Sequence, residues 1–176
     1  QLSAAKKLST TEDDYLAVIK AKTAALFLAA AEVGPIVAGA GSDERAALRS
    51  YGLNLGLAFQ LVDDVLDYGG DAGDLGKNVG DDFREGKITL PVLLAYRRGS
   101  DDERGFWKQS LEDGDNGAER LEKARALMAR HGALADTIQR ARHFGAIARD
   151  ALAPMPATPQ KDALLEVVDF CISRLN

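Results

Sequence analysis

Cysteine is almost absent from this chain. The one thiol, Cys171, has no second cysteine to pair with, so no intrachain disulfide can brace the fold, and a reducing compartment is the expectation. Basic clusters are missing too. The net charge is −5 and the lysines and arginines are scattered, which argues against a nucleic-acid partner and fits a solvated surface. The two histidines, His131 and His143, have no cysteine or acid companions at zinc spacing and read as structural or surface residues. No nucleophile elbow supports a serine triad. The polar opening "QLSAAKKLSTTEDD" carries no secretory signal. The most apolar run, residues 24–40, is broken by Glu32 and Pro35 and is at the short limit for a membrane span, so it is expected to be a buried helix and no transmembrane segment is expected. Repeats, low-complexity tracts and alternating strand patterns are also lacking.

What remains is helical periodicity, and the expected fold class is all-α, a single region over 1–176. Ser9 and Glu12 have the Ser-x-x-Glu form of a capping box, opening a helix to about residue 33. Gly34-Pro35 should kink or interrupt that helix, and residues 39–42 should turn. Ser42 or Asp43 then caps a long helix to about Tyr68. The glycine-rich stretch 69–86 has no sustained period, and a long irregular segment of that kind is usually functional or mobile. After "ITLPVLLAYRR", helices are expected near 117–131, 133–152 and 160–174.

The stretch "FQLVDDVLDY", 59–68, carries the chemical signal. At about 100° per residue, Asp63, Asp64 and Asp67 fall near −60°, +40° and −20° from Gln60, an arc of roughly 100°. Leu55, Ala58, Phe59, Leu61, Val62, Val65 and Leu66 fill the opposite side. Water is one destination for such a face. Yet aspartate is a poor helix former, and like charges four apart repel. Acids near a helix C-terminus also oppose its dipole. The other destination is a bound divalent cation, and hard oxygen donors at this spacing suit Mg²⁺. The aspartate pattern alone arises readily by chance in an Asp-rich chain.

Cations stand at the edges of the same region: Lys22 with Thr23, Lys77 in "LGKN", and Lys87 in "REGKITLP". Lysine binds phosphate as a point charge and a threonine hydroxyl adds a donor, although each lysine taken singly reads as a surface residue. The glycine-rich segment is neither a Walker loop, since Asn78 follows Lys77 where Ser or Thr is required, nor an EF-hand.

Taken together, "QLSAAKKLSTTEDDYLAVIKAKTAALF", "GLAFQLVDDVLDY" and "LGKNVGDDFREGKITLPVLLA" closely resemble the trans-polyprenyl diphosphate synthases, nearest their long-chain, octaprenyl-type branch. The resemblance implies the C-terminal part of an isoprenoid-synthase-type helical bundle around a central cavity. It implies that Asp63, Asp64 and Asp67 hold Mg²⁺ and, with Lys22, carry catalysis. Lys22, Thr23, Gln60, Lys77 and Lys87 would bind the allylic diphosphate, and Asp82 would stand behind them as a supporting acid, Asp81 being the weaker equivalent. Gln1 looks like a family glutamine on the preceding helix. The implied reaction joins an allylic prenyl diphosphate to isopentenyl diphosphate, giving a long all-trans precursor for quinone (ubiquinone-type) side chains. A homodimer is the family expectation, in the cytoplasm and loosely tied to membrane through its product. The family's N-terminal half, with its first aspartate-rich motif, is not matched, and the start at Gln1 rather than methionine reads as a segment of something longer, incomplete and inactive alone. Three rival readings remain: a non-catalytic helical subunit partnering a synthase, a shorter-chain geranylgeranyl- or farnesyl-type enzyme, and a terpene cyclase.

Overall fold

The computed structural model describes residues 7–69 and 79–175. Among them there is no strand; the elements are α1 (Glu12–Ile19), a π-helical turn (Lys20–Ala24), α2 (Ala25–Val37), α3 (Ser42–Gly69), α4 (Asp81–Arg84), α5 (Leu90–Arg98), α6 (Asp101–Leu111), α7 (Ala118–Arg130), α8 (Ala133–Ala151) and α9 (Pro159–Ser173). The chain divides into two compact units, one of Gln1–Tyr15 with Asp63–Ile138, the other of Leu16–Val62 with Gln139–Asn176.

The helix starts correct the sequence expectation by two residues. Thr10 closes a turn onto the Lys7 carbonyl through its N–H (2.9 Å) and its hydroxyl (2.6 Å). The reciprocal cap therefore falls on Thr11 and Asp14: the Asp14 N–H donates to Thr11 Oγ1 (3.1 Å) and the Thr11 N–H to the Asp14 carboxylate (3.0 Å). The Thr11 hydroxyl, 2.6 Å from Asp14 Oδ2, and then the Thr11 N–H hold the Asp14 carboxyl below its ordinary pKa. Nor does Pro35 interrupt α2. The helix runs on to Val37 and stops two residues later at Gly39, whose φ is +66°. There the Ala40 N–H reaches the Pro35 carbonyl (2.9 Å) and the Gly39 N–H the Ile36 carbonyl (3.1 Å), so a left-handed glycine, not the proline, ends the helix.

A third expectation also fails. Helix α2 is apolar but not buried: Leu26 is 72% and Val37 83% exposed. Only one face packs within its unit, where Gly52 and Gly56 let α3 approach closely. A Cβ on Gly52 would sit 2.5 Å from the Phe27 carbonyl oxygen, and one on Gly56 2.6 Å from Ala24 Cα. Gly52→Ala must push backbone apart, and a loss of about 1–3 kcal/mol is expected in a urea titration; unchanged stability would show that the approach is slack. Elsewhere in this unit the Tyr51 hydroxyl donates to the Leu164 carbonyl (2.9 Å), and Arg149 pairs with Asp169 (2.5 Å). No described helix is long and apolar enough to cross a membrane.

The other unit has its core in Phe83, Leu90, Val92, Leu93, Trp107 and Met128, all fully buried. Helix α6 lies where no helix was expected. Ser100 and Glu103 form its capping box, and Glu103 also receives Arg130 (2.8 Å) and His131 (2.9 Å). The Ser100 N–H, then Arg130 and His131, hold the Glu103 carboxyl down at about 2. The last three helices fall within one or two residues of their expected places.

Candidate active site

The candidate residues form one group in each unit. In the unit of Leu16–Val62, Lys22 and Thr23 lie in the π-helical turn. Such a turn is a common feature of functional sites, and no sequence signal announced it. Lys22 is exposed. The Thr23 hydroxyl donates to Gln60 Oε1 (2.8 Å), joining two expected anion-binding residues directly. The rings of Phe27 and Phe59 meet at 5.3 Å with a 40° tilt, and the Arg174 guanidinium lies over Phe59 at 5.4 Å.

In the unit that begins again at Asp63, the acids of α3 separate by environment. Asp63 and Asp67 are partly exposed, but Asp64 is 2% exposed, which corrects the expectation that all three point away from the core. Its burial is made tolerable by Tyr15 of α1, whose hydroxyl donates to Asp64 Oδ2 in a short hydrogen bond. Sequence reasoning missed Tyr15; nothing in "DDYLAVI" distinguishes it from a core tyrosine.

Asp67 anchors a second arrangement. Its carbonyl accepts the Gly80 N–H (2.7 Å) and its carboxylate the Asp82 N–H (3.1 Å). Gly80 must be glycine: its φ is +85°, and a Cβ there would meet Leu121 Cδ2 at 2.3 Å. Asp82 turns its own carboxylate to Lys87 Nζ (2.8 Å), which also meets Glu85 (2.8 Å). Those two partners raise the Lys87 pKa. The neighbouring Asp81 pairs outward with Arg84 (2.9 Å), so the two adjacent acids have different tasks. Lys77 and Gln1 lie outside the described residues.

Burial first, and then the charge of Asp82, push the Asp67 carboxyl up to about 6. The Asp82 part of that shift is excess negative charge, which a divalent cation would offset. Among the described residues no three acids, histidines or cysteines gather as a ready metal cage. The partly exposed carboxylates of Asp63 and Asp67 are hard oxygen donors of the kind a divalent cation takes.

Solved structures define the class. A decaprenyl diphosphate synthase from Rhodobacter capsulatus is 50% identical, with a TM-score of 0.93 over all of this chain and 54% of that one. A polyprenyl synthase from Caulobacter crescentus CB15, complexed with calcium and isoprenyl diphosphate, is 46% identical with a TM-score of 0.93, again over all of this chain and 54% of that one. The fold is the all-α isoprenoid-synthase fold. The octaprenyl diphosphate synthase of Escherichia coli (strain K12) is 43% identical over 164 residues, 93% of this chain and 50% of that protein. The Polyprenyl synthetase family model matches residues 1–128, and the chain belongs to that family. It spans about half the length of the curated relatives it matches.

Proposed function

We propose that this chain contributes to a Mg²⁺-dependent prenyltransferase that condenses an allylic prenyl diphosphate with isopentenyl diphosphate into a long all-trans polyprenyl diphosphate, a precursor of quinone side chains. The observation that carries the reading is the Asp67–Asp82–Lys87 linkage, acid, acid and base joined by direct hydrogen bonds, within the segment that matches the family. The similarity to octaprenyl and decaprenyl synthases supports the long product.

Asp63, Asp64 and Asp67 are the residues that would hold the metal. Bound there, Mg²⁺ would neutralise charge growing on the departing diphosphate. Lys87 has three N–H donors, of which Asp82 and Glu85 take two, and the third would serve a phosphate oxygen. By the family resemblance, Lys22 and Lys77 are assigned to the same diphosphate. Thr23 holds the Gln60 amide by its hydroxyl, and both are assigned to the allylic diphosphate. As the C–O bond breaks, these donors stabilise the leaving diphosphate; the isopentenyl double bond attacks the allylic cation, and loss of a proton completes one five-carbon extension. No covalent bond to the protein is needed. The remaining assignments are a homodimer and a cytoplasmic location, loosely tied to membrane through the product.

The test is elongation itself. The full polypeptide carrying this chain, given Mg²⁺, farnesyl diphosphate and labelled isopentenyl diphosphate, is expected to yield polyprenyl products of seven or more isoprene units. A folded protein that incorporates no label while the Rhodobacter capsulatus relative does so would refute the assignment.

A further inference from the structure

Helix α4 carries Asp82 and leads directly into Lys87, yet it is only four residues long and has almost no stability of its own. Its backbone carbonyls can be followed one by one. That of Gly80 accepts the Arg84 N–H (3.0 Å), that of Asp81 the Glu85 N–H (2.9 Å), that of Asp82 the Lys87 N–H (2.8 Å) and that of Phe83 the Gly86 N–H (3.0 Å). The Arg84 carbonyl, last in the turn, has no backbone donor among the described residues. It takes the side-chain amide of Asn116 instead. Asn116 Nδ2 stands 2.7 Å from the Arg84 oxygen and 3.4 Å from that of Phe83. Asn116 lies in the loop between α6 and α7, and no other side chain nearby in sequence could replace it. In "EDGDN", 112–116, the other side chains are acids, which only accept when ionised, whereas an amide carries two N–H donors. A little further on, Leu121 of α7 packs against Gly80. One short segment thus grips α4 at both ends. The Asp82 N–H on Asp67 fixes the start of the turn, and Asn116 fixes its last carbonyl, three residues before Lys87.

We propose that Asn116 is a positioning residue for the diphosphate, acting through the end of α4 to hold the Lys87 ammonium in place. The inference rests on the assignment of Lys87 to the allylic diphosphate.

The test uses the full polypeptide with Asn116→Asp, Asn116→Ala, Lys87→Met and the double variant Asn116→Asp with Lys87→Met. Binding of farnesyl thiodiphosphate, a non-ionising analogue, is measured by calorimetry in the presence of Mg²⁺. Melting temperature and KM for each substrate are recorded alongside. Asn116→Asp is the sharper change, because it keeps the size of the side chain and sets a carboxylate against two carbonyl oxygens. It is expected to weaken analogue binding about fivefold, the worth of one hydrogen bond. The KM for the allylic substrate should rise by a similar factor, with that for isopentenyl diphosphate unchanged. Lys87→Met is expected to weaken analogue binding at least as much, and Asn116→Asp to add nothing on that background. Wild-type affinity in Lys87→Met removes Lys87 from the diphosphate, and this inference with it. Affinity lost in Lys87→Met but kept in both Asn116 variants overturns the role of Asn116 alone. An equal rise in KM for isopentenyl diphosphate also refutes positioning. If an Asn116 variant melts early, the double variant still decides: a further loss of the same size on the Lys87→Met background means general damage and refutes the proposal.

Discussion

In the full polypeptide, and on the proposed activity, Asp63→Ala is expected to slow prenyl transfer by a factor on the order of 10² to 10³, the usual cost of losing one electrostatic contact made to the developing charge of a transition state. The helix should not suffer. Asp63 is partly exposed on α3, and alanine is a better helix former than aspartate by about half a kcal/mol. The expected signature is thus a large fall in kcat with an unchanged or slightly raised melting temperature. Asp64→Ala should behave otherwise, losing stability as well as turnover, because it strands the buried Tyr15 hydroxyl. Steady-state kinetics beside thermal melts separate the two variants. Wild-type turnover in a folded Asp63→Ala protein would remove Asp63 from the chemistry.

That contrast marks how far the sequence could be read. Helical periodicity placed Asp63, Asp64 and Asp67 on one arc of α3, but periodicity describes a helix by itself and says nothing of what crosses it. The sorting of Asp64 into the interior depends on Tyr15, 49 positions away along the chain. Helices α7, α8 and α9 were legible because their ends are written locally, in Gly117, in Gly132 with its φ of +61°, and in the Thr158–Pro159 start. Helix α6 was missed although Ser100 and Glu103 spell its cap, since the charged run after Ser100 hid a buried face of Phe106, Trp107, Ser110 and Leu111. The π-helical turn at Lys22–Thr23 had no local signal. The turn ends at Ala24, which Gly56 approaches closely, a contact far away in the sequence. The exposed flank of α2 defeated the opposite assumption, that an apolar run must be interior.

Trp107→Ala is expected to have the largest effect on stability, about 3–5 kcal/mol, which for a chain of this size lowers the melting temperature on the order of 10 °C. Trp107 is fully buried. Its ring meets Phe83 edge-on at 6.5 Å and Phe106 at 5.4 Å. Phe83 is the buried residue of the one-turn helix α4, and it immediately follows Asp82. A helix of four residues has almost no stability of its own, so the aromatic packing beneath it keeps the Asp82 N–H on Asp67 and the Asp82 carboxylate on Lys87. Loss of the indole should therefore reach the site as well: binding of a non-ionising allylic diphosphate analogue is expected to weaken together with the melt. Trp107→Phe provides the control. It keeps an aromatic edge for Phe83 and removes an indole Nε1 that is buried with no hydrogen-bond partner, so its cost should be less than half that of alanine, with analogue binding close to wild type. If alanine destabilises the fold but leaves analogue binding untouched, α4 is held by something other than Trp107, and the link from the aromatic core to Asp82 and Lys87 is broken.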